Sequence, residues 1–172
     1  MSNRWISAAL AGVLLGFSTP GASQTNHAMG QSSAAGAAAH RDSLPVDQLA
    51  RVKQATARYR DVANAVADGY ADINVVIPNM GRHYLKQALM DSTFDVELPE
   101  ILVYAPDSSG TLQLVAAEYA VPTNLSTKAP EGFRGSADQW FVNEQFNIWT
   151  LHAWVWKENP AGMFYPTNPT VQ

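Results

Sequence analysis

The stretch Asn147-Ile-Trp-Thr-Leu-His-Ala-Trp-Val-Trp-Lys157 decides how the rest of the chain is interpreted. Its hydrophobic and aromatic content is typical of a strand, and successive side chains of a strand point to opposite faces of the sheet. One face therefore carries the alternate residues Ile148, Thr150, His152, Trp154 and Trp156. This face is aromatic and holds one histidine, which makes it a candidate binding surface.

Two earlier runs, 99–105 and 111–121, have the same strand-like character, and each contains one glutamate. Regular alternation places both glutamates among apolar neighbours, Glu100 with Leu102 and Tyr104, and Glu118 with Leu112, Leu114, Ala116 and Ala120. A buried carboxylate must be protonated, hydrogen-bonded, paired with a cation or bound to a metal. Glu100 and Glu118 are therefore candidate partners of His152.

A helix is predicted before these strands, from about Pro45 to Gly69 with Ser43 as its N-cap. Apolar residues recur there at spacings of three and four: Leu49, Val52, Ala55, Tyr59, Val62, Val66 and Tyr70. Such a stripe needs a partner surface. The predicted fold is therefore α+β, with one long N-terminal helix packed on an antiparallel sheet or half-barrel that contains the runs 100–105, 111–121 and 146–157.

The first residues are typical of a secretory signal peptide, with Arg4, an apolar run from Ile6 to Phe17 and small residues before Gln24. We therefore expect residues 1–23 to be removed and the protein to be exported, as a periplasmic or secreted protein with no transmembrane segment after cleavage. Residues 24–42 are rich in Gly, Ala, Ser and Gln and predict a flexible linker. Residues 43–172 then form a single globular domain.

The composition excludes several classes of function. Loss of Arg4 with the leader leaves ten basic against fifteen acidic side chains, so nucleic acid is not an expected partner. The chain of 172 residues has no cysteine, which excludes disulfides, thiolate metal sites and a cysteine nucleophile. It also has no nucleophile elbow, phosphate-binding loop, zinc-protease motif or dinucleotide-binding glycine pattern.

Without thiolates, a metal must be held by histidine, carboxylate or water. His83, in or just after a turn at Gly81, joins Glu100, Glu118 and His152 in a set of two histidines and two carboxylates that suits a divalent ion such as zinc. Tyr104, Trp154 and Trp156 are the predicted ligand-binding aromatics. We therefore expect a metal site or a small-ligand site on the aromatic face of the sheet.

Three functions fit these residues. In the first, the domain binds a metal, a small molecule or a component of the cell envelope. In the second, it is a small envelope enzyme in which Glu118 or Glu100 forms an acid/base pair with His152. In the third, the protein is structural: Glu118 pairs with an arginine such as Arg82 or Arg134, Glu100 caps the entrance of a strand, and His152 is a hydrogen-bonded core residue.

Four short motifs also carry a family resemblance: Met80-Gly-x-His83-Tyr84, Pro99-Glu100-x-Leu102-x-Tyr104, Glu118-Tyr119, and Leu151-His152-x-Trp154-x-Trp156-x-x-Asn159-Pro160-x-Gly162-Met163-Phe164. As a set they resemble the motifs of an uncharacterised family of small exported bacterial proteins. The resemblance covers about residues 50 to 170. It implies that the four motifs belong to one domain, and it brings with it no activity, cofactor or fold.

Overall fold

The computed structural model describes residues 44–172, so the predicted leader, linker and Ser43 cap lie outside the described part of the chain. The helical segment is α1 (Val46–Thr56), a 3-10 turn (Ala57–Arg60) and α2 (Val62–Ala67). A single long helix is not observed, because Asp61 has extended backbone angles (φ −88°, ψ 115°). The Asp61 carboxylate accepts a hydrogen bond from the Ala63 amide and so starts α2 as its N-cap.

The remaining elements form one antiparallel sheet that curls into a half-barrel, so the predicted α+β class is confirmed. Its strands are β1 (Ala71–Ile77), β2 (Gly81–Leu85), β3 (Ile101–Pro106), β4 (Leu112–Pro122), β5 (Phe141–Asn143) and β6 (Ile148–Ala153), with a short 3-10 turn at Gln87–Leu89. Their spatial order is β1-β2-β3-β4-β6-β5. Strands β1, β2 and β5 are additions to the three predicted runs.

The helical segment covers one face of the sheet. On that face, Leu49 and Val52 of α1 pack in one apolar cluster with Tyr119 and Leu151. The buried Tyr104 hydroxyl donates a hydrogen bond to the carbonyl of Tyr59, 2.6 Å away. This bond ties the helical segment to β3 and satisfies a polar group that burial would otherwise leave without a partner. The opposite face of the sheet is free of the helices and carries the candidate site.

A β-bulge in β4 changes which of its residues share a face. Val103 pairs with Ala116 whereas Tyr104 pairs with Leu114, which leaves Val115 as the extra residue. Leu114 therefore packs on the helix side with Tyr104, while Ala116 packs on the opposite side with Val103. The prediction that Leu112 and Leu114 share a face with Glu118 was wrong, because the bulge reverses the alternation between Leu114 and Ala116.

The described part of the chain has no helix that is both long and apolar enough to cross a membrane.

Candidate metal site

Three strands bring His83, Glu118 and His152 together. Glu118 on β4 lies directly opposite His152 on β6. His83 on β2 pairs with Val103 of β3, and Val103 pairs with Ala116, two residues before Glu118 on the same face. The imidazole of His83 therefore reaches over β3 towards the Glu118 carboxyl group. All three residues are at most 3% exposed.

The two distances from the Glu118 carboxyl group to the histidines match the spacing of metal ligands. Oε2 of Glu118 lies 3.4 Å from Nε2 of His83 and 3.6 Å from Nε2 of His152. One ligand atom from each residue lies within 4.8 Å of the other two. Two atoms that are each about 2.1 Å from a tetrahedral zinc ion are about 3.4 Å from each other. The same distances exceed those of ordinary N–H···O bonds, which fall at about 2.7–3.2 Å.

The site also holds buried polar atoms without a hydrogen-bond partner. They are Oε2 of Glu118 and both ring nitrogens of His152. A buried donor or acceptor left without a partner costs about 1–3 kcal/mol, and a cluster of them indicates a water or an ion at that place. Because the unpartnered atoms of Glu118 and His152 lie on facing strands, one ion would satisfy an atom of each residue.

The two imidazoles are oriented in different ways. Nδ1 of His83 lies 3.1 Å from the carbonyl oxygen of Val75 on β1, so this nitrogen carries the proton and donates it. Nε2 of His83 then presents its lone pair to the Glu118 carboxyl, as in metal-ligating histidines that donate from their other nitrogen. His152 has its ring stacked on Trp154 at 5.7 Å and 12°. Backbone and aromatic contacts thus fix both rings.

Burial makes all three groups neutral near pH 7. It raises the pKa of Glu118 to about 8, and the nearby Glu100 carboxyl adds to that rise. It lowers the pKa of His152 to about 3, with a further contribution from His83. Burial also lowers the pKa of His83, against the opposing effect of its backbone hydrogen bonds. The close contacts are therefore not ion pairs at neutral pH, and neutral imidazoles are the form that binds metal.

Glu100, the fourth residue of the predicted set, lies apart from this cluster. It is buried immediately before β3, and its Oε2 accepts a hydrogen bond from the amide of Ala120 at 3.0 Å. Burial raises the pKa of Glu100 to about 8. The structure thus joins three members of the predicted metal set and binds the fourth to the backbone of β4.

The three predicted ligand-binding aromatics are held by other contacts, although Trp154 also stacks on His152. Tyr104 is buried on the helix side of the sheet. Trp154 is buried against His152 and donates from its indole nitrogen to the carbonyl of Tyr165 at 2.7 Å. Trp156 donates to the hydroxyl of Thr56 at 2.9 Å. The prediction that Trp156 shares the face of His152 was wrong, because β6 ends at Ala153 and Trp156 packs with the helix-side cluster instead.

The arginines of the structural interpretation have other partners. Arg82 donates from Nε to the Asp72 carboxylate at 2.7 Å, and Arg134 pairs with Asp47 on α1. Neither of these ion pairs involves Glu118, whose near neighbours are the two histidines. The arginine pairing proposed for Glu118 in that interpretation was therefore wrong.

A cavity of about 230 Å³ adjoins the site and is lined by His83 and Glu118. Nine of its thirteen lining residues are apolar, so its chemistry is mainly that of a hydrocarbon pocket. One wall consists of Ile73, Val75 and Ile77 of β1, none of which was a predicted site residue. The signal in the sequence is a short apolar run, since four of the five residues from Ile73 to Ile77 are apolar, which is typical of a buried strand.

Comparisons of the chain with protein-family models, with curated proteins and with solved structures give no match, so the family resemblance of its motifs stays a prediction.

Proposed function

We propose that this domain binds a divalent transition-metal ion, such as zinc, through Nε2 of His83, the carboxylate of Glu118 and an imidazole nitrogen of His152. The observation that carries the proposal is the convergence of three buried side chains from three strands at ligand spacing, with unpartnered atoms on two of them. Two histidines and one carboxylate are ligands of both zinc and iron(II) sites.

Binding is favoured over catalysis by the residues that line the cavity. A metal hydrolase adds a general base or acid to its metal ligands. Among the lining residues, the titratable side chains are His83 and Glu118, and both belong to the ligand set. The other polar side chains are Gln87 and Asn143, whose amides do not titrate. An exported binding protein for metal and small molecule is therefore the function we propose.

Thermal unfolding of metal-stripped protein tests the proposal directly. A ligand present at about 100 times its Kd stabilises the folded state by about 2.7 kcal/mol. For a domain of this size that free energy raises the Tm by roughly 8 °C. We expect such a shift with zinc, and we expect elemental analysis of protein purified without chelator to find a metal at near-equal molar amount.

Histidine variants supply the control. His152→Ala removes a ligand and should abolish the zinc-induced shift, whereas His40→Ala, which lies outside the described residues, should leave it unchanged. The comparison uses the shift between stripped and zinc-treated samples of each variant, so a lower starting Tm does not affect it. The proposal is wrong if stripped wild-type protein shows no shift with zinc, copper, manganese or iron and the purified protein contains no metal.

A further inference from the structure

The metal-bound site, whose existence rests on the function proposed above, needs one more ligand to balance its charge. A divalent ion with one glutamate carboxylate and two neutral imidazoles has a net charge of +1. These three side chains are at most 3% exposed, and an uncompensated charge in such surroundings is costly. Three protein ligands also leave one position of a tetrahedral ion open. A singly negative donor atom at that position would neutralise the site.

The cavity indicates what is attached to that donor atom. Two of its lining residues, His83 and Glu118, belong to the proposed ligand set, so the cavity borders the place where the ion would lie. Its walls include Val75, Leu85, Ile101 and Ile148, which favour an apolar tail. The volume of about 230 Å³ is about 1.5 times that of an engineered cavity of about 150 Å³ that binds benzene. A tail of about six to eight carbon atoms is therefore the size that we expect.

We infer that the metal-loaded site binds a monocarboxylate with a short apolar tail, whose carboxylate is the fourth ligand of the ion and whose tail occupies the cavity. The rim fits this mode of entry. Phe146 lines the cavity and is 42% exposed, so it meets both the cavity and solvent. The amide of Asn143 lines the same cavity and accepts a hydrogen bond from the Phe146 amide through Oδ1, at 3.3 Å.

A homologous series of acids tests the inference by calorimetry on the zinc-loaded chain. From acetate through hexanoate to octanoate, affinity should rise about fourfold for each methylene group that enters the cavity. Hexanoate should bind at least about tenfold more weakly to metal-stripped protein, and 1-hexanol at least about tenfold more weakly than hexanoate to the zinc-loaded protein. A flat series, metal-independent binding or equal affinity for the alcohol would each refute the inference.

Matched variants on β1 separate the cavity from the metal. Ile77 lines the cavity, while its neighbour Val76 is 63% exposed. Ile77→Phe should remove the dependence on chain length, Val76→Phe should retain it, and zinc affinity should stay within about threefold in both. If Ile77→Phe does not hold zinc, Ile148→Phe makes the same test from β6. Retention of the full series in the cavity variant that holds zinc contradicts the inference.

Glu100 provides the control for the charge argument. If its carboxyl ionised to balance the metal, Glu100→Gln would restore the +1 charge and strengthen hexanoate binding at least about tenfold. Because Glu100 lies outside the ligand cluster, we expect a change of less than about threefold. Failure of zinc itself to bind refutes the proposed function, whereas zinc binding with a flat acid series refutes this inference alone.

Discussion

The substitution Glu118→Gln separates the two roles of a buried carboxyl group, as a proton carrier in the metal-free protein and as an anion in the metal-bound protein. The two side chains have nearly the same shape, so the packing around β4 is retained. Glu118 is 3% exposed, and burial raises its pKa from 4.5 to about 8. Glutamine has the polarity of the protonated carboxyl group but cannot ionise.

The pH dependence of stability follows from that pKa. Between about pH 4.5 and pH 8 the folded state keeps the Glu118 proton while the unfolded state has lost it, so rising pH lowers the free energy of unfolding. The slope approaches about 1.4 kcal/mol per pH unit and disappears above the folded-state pKa. Glu118→Gln lacks this contribution. Between about pH 6 and pH 8, the free energy of unfolding of metal-stripped Glu118→Gln should therefore rise by about 2 kcal/mol relative to that of wild type.

Zinc should change the relative stability of the two proteins in the opposite direction. At about 100 times the wild-type Kd it should stabilise wild type by about 3 kcal/mol, whereas Glu118→Gln, which lacks the anionic ligand, should gain less than about 1 kcal/mol. Urea unfolding with linear extrapolation at each pH, with and without zinc, measures both effects. A stability difference that does not vary with pH would show that burial does not raise the pKa of Glu118. Equal stabilisation of both proteins by zinc would exclude Glu118 as a ligand.

Three further predictions concern one metal ligand and two residues that stabilise the sheet. His83→Ala should weaken zinc binding by more than about 100-fold in direct titration, since it removes a ligand and not merely a residue that orients one. Tyr104→Phe should lower the free energy of unfolding by about 1–2 kcal/mol through loss of the bond to Tyr59, while zinc affinity stays the same. Gly81→Ala should lower the free energy of unfolding by at least about 2 kcal/mol, because Gly81 has φ +109° and an added Cβ would meet the Tyr104 carbonyl.

Local periodicity predicted the elements with regular patterns. The apolar spacing in residues 49–59 identified the first helix, and alternation placed strands at β3, β4 and β6. The helix break at Asp61 was missed because apolar spacing continues through Val62, whereas the N-cap bond from Asp61 to Ala63 is a local polar contact that such spacing does not report. Strands β1 and β2 were also missed, because Pro78 and Gly81 interrupt the short apolar run and indicate a turn.

The residues alone identify the groups that need a partner: two histidines and two glutamates in apolar surroundings, in a chain without cysteine. The folded chain then selects which of these groups meet. Strand order and register place Glu118 opposite His152 and bring His83 across β3, while Glu100, just before β3, bonds to the backbone of β4. This difference arises because alternation fixes a face only along a regular strand, whereas pairing between strands, and the bulge at Val115, depend on contacts distant in sequence.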